Sequence, residues 1–302
     1  MIDLDEKITA NADDIESDYG YAPTDDDAPI AAPDGGSGVK KVKLRLDVKD
    51  VVRKKPEGTQ ADDEGAPIVL YEDNHLLVVV KPQNIPTQGD SSGDLDFLTQ
   101  LKQYLVKKYN KPGEAYLGLV HRLDRPTGGV MVFAKTSKAA SRLCEQIKDK
   151  DSEFEKTYIA VTSGRPNRTG KVEHYLAKDA QSNTVTVVPA SMEGAKLAQS
   201  EITVLDEKNG LHLVSVKLIT GRPHQARVQL KTLGAPIVGD FRYAKDKLVR
   251  SPHLALWAYR LVFLHPVTGD KMIFMSAPPA EFPWTQFNTD GLIDFVRPEG
   301  KN

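Results

Sequence analysis

Leu119-Val120-His121-Arg122-Leu123-Asp124-Arg125-Pro126-Thr127-Gly128-Gly129-Val130-Met131-Val132-Phe133-Ala134 passes from a short apolar lead through a polar loop and two glycines into five apolar residues. The apolar close reads as a buried strand, and the glycines let the backbone approach a neighbour closely. One carboxylate, Asp124, stands in the loop between two guanidinium groups, Arg122 and Arg125. A carboxylate wedged between apolar segments is costly to bury unless cations or donors compensate it. The pattern fits a reactive group held ionised at neutral pH. It also fits a salt-bridged surface turn, which on its own is the commoner arrangement.

Upstream, residues 68–71 and 76–81 read as two strands joined by the turn Glu72-Asp73-Asn74-His75. Pro82, Pro86 and Gly89 make a loop, and Asp94 or Asp96 caps a helix running through Tyr109, with Leu98, Leu101 and Leu105 at helical spacing. Downstream, a helix over 137–150 takes Ser137 as its N-cap. Strands follow over 156–161, 184–188, 201–205 and 211–218. A further helix over 223–233 opens on Pro223 and closes at Gly234, ahead of strands over 254–264 and 272–275. Strands outnumber helices and many connections look like hairpins. The expected fold is α+β: a mixed, largely antiparallel sheet with flanking helices.

The charge is unevenly spread. Residues 1–38 hold eleven acids and one Lys, few apolar side chains and a Pro/Gly/Ser-rich close, a composition expected to stay disordered. Residues 39–65 are expected to be a basic arm, in which Val39-Lys40-Lys41-Val42-Lys43-Leu44-Arg45-Leu46 alternates like a strand, followed by a polar linker. The domain proper then spans 66–302. It carries 25 of the chain's 42 acids and 31 of its 40 bases, an excess suited to a polyanionic partner. Cys144 is the one cysteine, so no disulfide or cysteine metal site forms within the chain. No signal pattern opens the sequence, and no apolar run approaches a bilayer span. The expectation is a cytoplasmic protein away from membranes.

A second cluster, Thr220-Gly221-Arg222-Pro223-His224-Gln225-Ala226-Arg227, sets a dense group of donors at a helix start, a candidate anion cradle. Tyr158, in the run Lys156-Thr157-Tyr158-Ile159-Ala160, would by itself read as a core or edge tyrosine.

Taken in order, His121-Arg122-Leu123-Asp124 with Thr127-Gly128-Gly129, then Lys156 to Ala160, then Gly221 to Arg227 resemble the signatures of RluA-type pseudouridine synthases. Gly234-Ala235-Pro236-Ile237-Val238-Gly239-Asp240 and His253-Leu254-Ala255-Leu256 extend the resemblance, which runs from about Ile68 to Ala277. It implies a pseudouridine synthase fold with a central RNA-binding cleft. The implied activity is isomerisation of uridine to pseudouridine in structured RNA, ribosomal or transfer RNA with ribosomal favoured, by a monomer needing neither cofactor nor metal. Asp124 matches the catalytic aspartate, Arg227 its arginine partner and Tyr158 the active-site aromatic. Arg122 matches the residue that helps extrude the target nucleotide. His121, Arg125, Arg222, His224 and Gln225 are the further RNA-facing candidates. Many relatives carry serine at the Gly128 position and a larger aliphatic residue at Ala226. The segment after Lys81-Pro82 lacks the glycine and histidine common there.

These residue types suit the chemistry. Uracil must leave its ribose and rejoin through carbon, which needs an ionised carboxylate near the sugar, kept so by a paired arginine. Tyr158 can stack on the detached base and help remove the last ring proton. The base must first leave its stack, and an arginine can fill the gap. Two other readings stay open: a silent RNA-binding protein that keeps the cleft, and a metal-dependent hydrolase built on His121, Asp124 and His224. Arg122 and Arg125 weigh against a cation in the second.

Overall fold

The computed structural model describes residues 66–149, 151–179, 181–244, 249–289 and 292. The acidic tail and the basic arm with its linker lie outside the described residues.

β1 (Ile68–Glu72) and β2 (Leu76–Lys81) make an antiparallel hairpin. Asp73 closes its turn, accepting the N–H groups of His75 and Leu76 at 2.7 and 2.6 Å. α1 (Phe97–Tyr109) follows, capped by Asp96, which accepts the Thr99 N–H at 3.0 Å. The two-residue β3 (Gly118–Leu119) and β2 both pair antiparallel with β4 (Gly128–Ala134). α2 (Ser137–Lys148) begins one residue after its true cap, Thr136, and ends short of 150.

Five antiparallel strands form a second wing: β5 (Glu155–Thr162), β6 (Gly170–Asp179), β7 (Thr184–Val188), β8 (Lys196–Lys208) and β9 (Leu211–Leu218). α3 (Gln225–Thr232), β10 (Leu256–Leu264) and β11 (Lys271–Met275) complete the fold. The sheet runs β1-β2-β4-β10-β5-β9-β8-β6-β7, with β3 on β4 and β11 on β10. Among the described residues only β4 and β10 pair in parallel, so the sheet is mixed and largely antiparallel, as its sequence leads one to expect. β6 escapes a reading by pattern. Its buried side chains are Val172 and Leu176, four positions apart among exposed and half-buried residues, which obscures the two-residue period.

β2 and β4 are buried on both faces. Leu77, Val79, Met131 and Phe133 join a core that includes α1 and crosses both wings, while Leu76, Val78, Val130 and Val132 pack with Leu143 of α2. The wings meet where Gly128 and Gly129 lie opposite Trp257 and Ala258. Gly129 has φ +125°, and a Cβ there would stand 2.6 Å from the Ala258 nitrogen. A Cβ on Gly128 would overlap the Trp257 ring and sit 2.9 Å from the Lys81 carbonyl oxygen. The close approach therefore demands both glycines, and a serine at 128 would collide with Trp257 here. Among the described residues, no helix is long and apolar enough to cross a membrane.

Candidate active site

Asp124 stands in the loop between β3 and β4. That loop has no ladder of its own, and residues at and after the end of β2 hold it by its backbone. The wholly buried Lys81 ammonium donates to the carbonyls of Pro82, Arg125 and Thr127 at 2.8, 3.3 and 2.9 Å. Gln83 Nε2 donates to the Pro126 carbonyl at 3.0 Å and to that of Leu254 at 2.7 Å. The Thr87 hydroxyl donates to the Leu123 carbonyl at 2.8 Å and accepts its N–H at 3.3 Å. The Thr127 N–H closes a turn on the Asp124 carbonyl at 2.9 Å. With its backbone so fixed, the Asp124 side chain remains 26% exposed. Burial pushes the Lys81 ammonium down to about 7, with the Asp124 charge opposing the fall.

The cation at Asp124 comes from 103 positions away. Arg227, in the first turn of α3, donates from Nη1 to Asp124 Oδ2 at 3.4 Å. Its Nε and Nη2 donate to the two oxygens of Asp240, each at 2.9 Å. The guanidinium lies 4.9 Å from the centre of the Tyr243 ring. Burial works to lower the Arg227 pKa, but the bonds and charge of Asp240, with Asp124 and Tyr243 beyond, raise it above its ordinary value. The Tyr243 hydroxyl accepts the Val185 N–H at 3.0 Å and meets His224 Nδ1 at 2.6 Å.

Tyr158 lies on β5 between Val216 of β9 and Ala258 of β10, and is 7% exposed. Burial first, then the Asp124 charge, push its phenol well above the usual tyrosine value. At neutral pH it offers a ring face and a hydroxyl proton rather than a phenolate base.

The structure thus gathers Asp124, Arg227 and Tyr158. Other candidates stand elsewhere. Arg125 does not compensate Asp124; it pairs with Asp94, bonds Ser92 Oγ at 3.0 Å and lies 3.8 Å from Asp90. His121 turns into the core, where its Nε2 accepts the Val132 N–H at 3.1 Å and its ring meets Phe154 edge-on. Burial, with Lys156 nearby, pushes His121 down to about 3, so it is neutral. Arg122 is exposed beside Asp124.

Part of the donor cluster at 220–227 is bonded inside the protein. Arg222 Nε donates to the Leu197 carbonyl at 3.0 Å. Gln225 accepts from the Thr220 hydroxyl at 2.8 Å and the Arg222 N–H at 3.0 Å, and donates to the Gln199 carbonyl at 2.9 Å. These bonds fasten the start of α3 to the β8 strand. His224 has φ 52°, outside helical range, so α3 begins at Gln225 and not at Pro223. Burial lowers the His224 pKa, as do Arg227 and Arg242, against Asp124 and Asp240.

Lys81, Asp240 and Tyr243 are the residues that sequence reasoning passed over. The available signals were a lysine closing an apolar run and a Gly-Asp pair in the 234–240 motif. Among the described residues, no group of three or more His, Cys, Asp or Glu is arranged to hold a metal ion. The site presents an accessible carboxylate, steadied by one guanidinium and backed by a protonated phenol, suited to attack or proton abstraction on a substrate at the protein surface.

Residues 75–232 match the family model described as RNA pseudouridylate synthase. The ribosomal large subunit pseudouridine synthase C of Buchnera aphidicola subsp. Schizaphis graminum is 35% identical over 212 residues, 68% of this chain and 65% of that one. Its namesake from Escherichia coli (strain K12) is 33% identical over 216 residues, with the same shares. The chain therefore spans just under two thirds of the length of these relatives, 65% in each case. Among solved structures, human RNA Pseudouridylate Synthase Domain Containing 4 superposes with a TM-score of 0.60 at 24% identity, covering 78% of this chain and 95% of that one. That likeness is one of fold.

Proposed function

The chain belongs to the RNA pseudouridylate synthase family, and we propose that it isomerises uridine to pseudouridine in large-subunit ribosomal RNA, with Asp124 as the reacting carboxylate and no cofactor. One observation carries the proposal: a half-buried carboxylate, 26% exposed, on a backbone-clamped loop and touched by Arg227; the carboxylate's charge joins burial in raising the Tyr158 phenol. The reaction breaks the bond between uracil N1 and the ribose, turns the base, joins C5 to the sugar and releases the C5 proton. Addition of Asp124 to the sugar, its addition to the base and abstraction of a sugar proton each require it ionised and uncovered. Arg227 contacts Asp124 through Nη1, and the Tyr158 ring supports the detached base. Arg122 fills the gap left by the extruded nucleotide. Backbone contacts from the basic domain position the RNA without reading its sequence. The names of the bacterial relatives support ribosomal over transfer RNA, and this RNA would be met in the cytoplasm.

The test uses ribosomal RNA from cells lacking the protein, labelled with tritium at uridine C5. Wild-type protein releases tritium. Asp124→Asn releases none above background while binding the RNA within about threefold of wild type, because a lost catalytic group spares ground-state binding. Wild-type turnover by Asp124→Asn would overturn the assignment.

A further inference from the structure

Phe241 is the most exposed aromatic ring among the described residues, at 60%. A lone apolar side chain in water is ordinary on a protein surface. What sets Phe241 apart is its mount. Its own N–H donates to the Gly239 carbonyl at 3.1 Å, and the Ala244 N–H donates to that of Asp240 at 2.9 Å. The N–H groups of Arg242 and Tyr243 both donate to Asp240 Oδ1, each at 3.1 Å. Arg242 Nη1 reaches across to the carbonyls of Ser182 and Asn183 at 3.0 and 2.7 Å, tying this turn to the one between β6 and β7. The backbone that carries the ring is therefore fixed, while the ring itself stays mostly bare. Elsewhere the exposed Tyr109 spends its hydroxyl on Glu72 at 2.7 Å. A phenyl ring has no polar tip to spend and offers only its faces.

The turn adjoins the reacting group. Phe241 follows Asp240, whose carboxylate bonds Arg227, whose Nη1 in turn meets Asp124. Arg242 is exposed beside it and adds a cation. An aromatic face with a guanidinium alongside suits single-stranded nucleic acid, which stacks a base on the one and turns a phosphate to the other. We infer that Phe241 is a stacking platform for an unpaired base of the RNA strand that carries the target uridine. Extruding one nucleotide deprives its neighbours of a stacking partner. A ring on a backbone already fixed restores that contact without first ordering a loop. Every base has a π-face, so the platform accepts any neighbour and adds affinity rather than sequence choice. The identity of the strand rests on the isomerase reading, but the bare, mounted ring belongs to the free protein.

Binding and turnover of the full chain test it, with ribosomal RNA from cells lacking the protein as the probe. Phe241→Leu keeps an apolar side chain and removes the ring. It should weaken binding at least about fivefold, the low end of what one base–aromatic stack contributes. The loss should fall on KM, with kcat lowered less than about twofold, as for binding shared by ground and transition states. The salt dependence of binding should keep its slope, because no charge is lost. The melting temperature should stay within about 2 °C, because the ring is exposed. Phe241→Trp should restore the affinity, and its added emission should be quenched when RNA binds. Wild-type affinity in Phe241→Leu, or a weakening that Phe241→Trp fails to restore, overturns the inference. A wild-type dimer that dissociates in Phe241→Leu would make the ring a contact between copies and overturn it too. A wild-type protein that binds the RNA but releases no tritium overturns the isomerase reading, while the comparison of affinities still decides the role of Phe241.

Discussion

The two wings of the sheet serve Asp124 in unlike ways. The first wing, β1, β2 and β4, delivers the carboxylate from a loop, and everything that steadies it grips backbone: Lys81, Gln83 and Thr87 hold the carbonyls of Leu123, Arg125, Pro126 and Thr127. The second wing delivers the guanidinium from α3, where Asp240 and Tyr243 act on the side chain alone. Beyond its first turn a helix meets its own backbone groups, and the start of α3 is fastened to β8 through Arg222 and Gln225, so the Arg227 side chain is what remains to be aimed. A loop has no such ladder, and its carbonyls must be fastened before any side chain on it has a fixed position.

The sharpest way to break this division is at the seam that joins the wings. Gly129→Ala places a Cβ against the Ala258 backbone at φ +125°, where neither strand can yield without losing its partner. We expect a loss of about 3 kcal/mol or more in urea unfolding, combining backbone strain with overpacking. An unchanged midpoint would mean that the wings can slide past each other.

Next comes the backbone clamp. Lys81→Met keeps the volume but strands three carbonyl groups, and should cost about 2–3 kcal/mol by the usual penalty for unmet buried acceptors. Tritium release should fall with it even where the protein is fully folded, because the Asp124 loop loses its fastening. Full activity in folded Lys81→Met would assign the fixing of Asp124 to Arg227 instead.

A pH dependence separates the wings further. His121, in the first wing, has a folded pKa near 3 against 6.5 for the free side chain. Its neutral form contributes fully above pH 6.5, and the contribution is lost as pH falls through 6.5 towards 3, because the unfolded chain takes up the proton first. Between pH 7 and 5 this amounts to about 2 kcal/mol. His121→Asn should show a correspondingly flatter stability profile, and hydrogen exchange at pH 5 should report β4 opening ahead of β8 and β9. Equal pH slopes in the two proteins would remove His121 as the cause.

The smallest effect is expected at Arg125, whose partners Asp94 and Asp90 are themselves exposed. Arg125→Ala should change stability by less than about 1 kcal/mol. If Arg125 exchanges those carboxylates for a phosphate, the salt dependence of RNA binding should weaken by about one unit of slope. An unaltered slope would leave it as a surface pair of the first wing.

Much of this molecule is written in short-range pattern. The five-residue apolar runs, a cap at Asp94 or Asp96, the glycine pair and the ordered motifs along residues 121–240 are each decided within one or two turns of chain, where period, capping and steric freedom act. They suffice for the strands of the first wing, for α1 and for the family resemblance. β6 was hidden because Lys171, Glu173 and His174 interrupt its apolar positions, and only pairing with β7 and β8 reveals it. Which charges face which was decided by the tertiary structure alone. Arg125 adjoins Asp124 in sequence and pairs with Asp94, while Arg227 arrives from α3; His121 and Gln225 look like ligands by type, yet His121 Nε2 accepts from β4 and Gln225 bonds Gln199 of β8. Electrostatic partnership depends on distance through space and on what burial leaves unmet, and both exist only once β4 and β10 have come together.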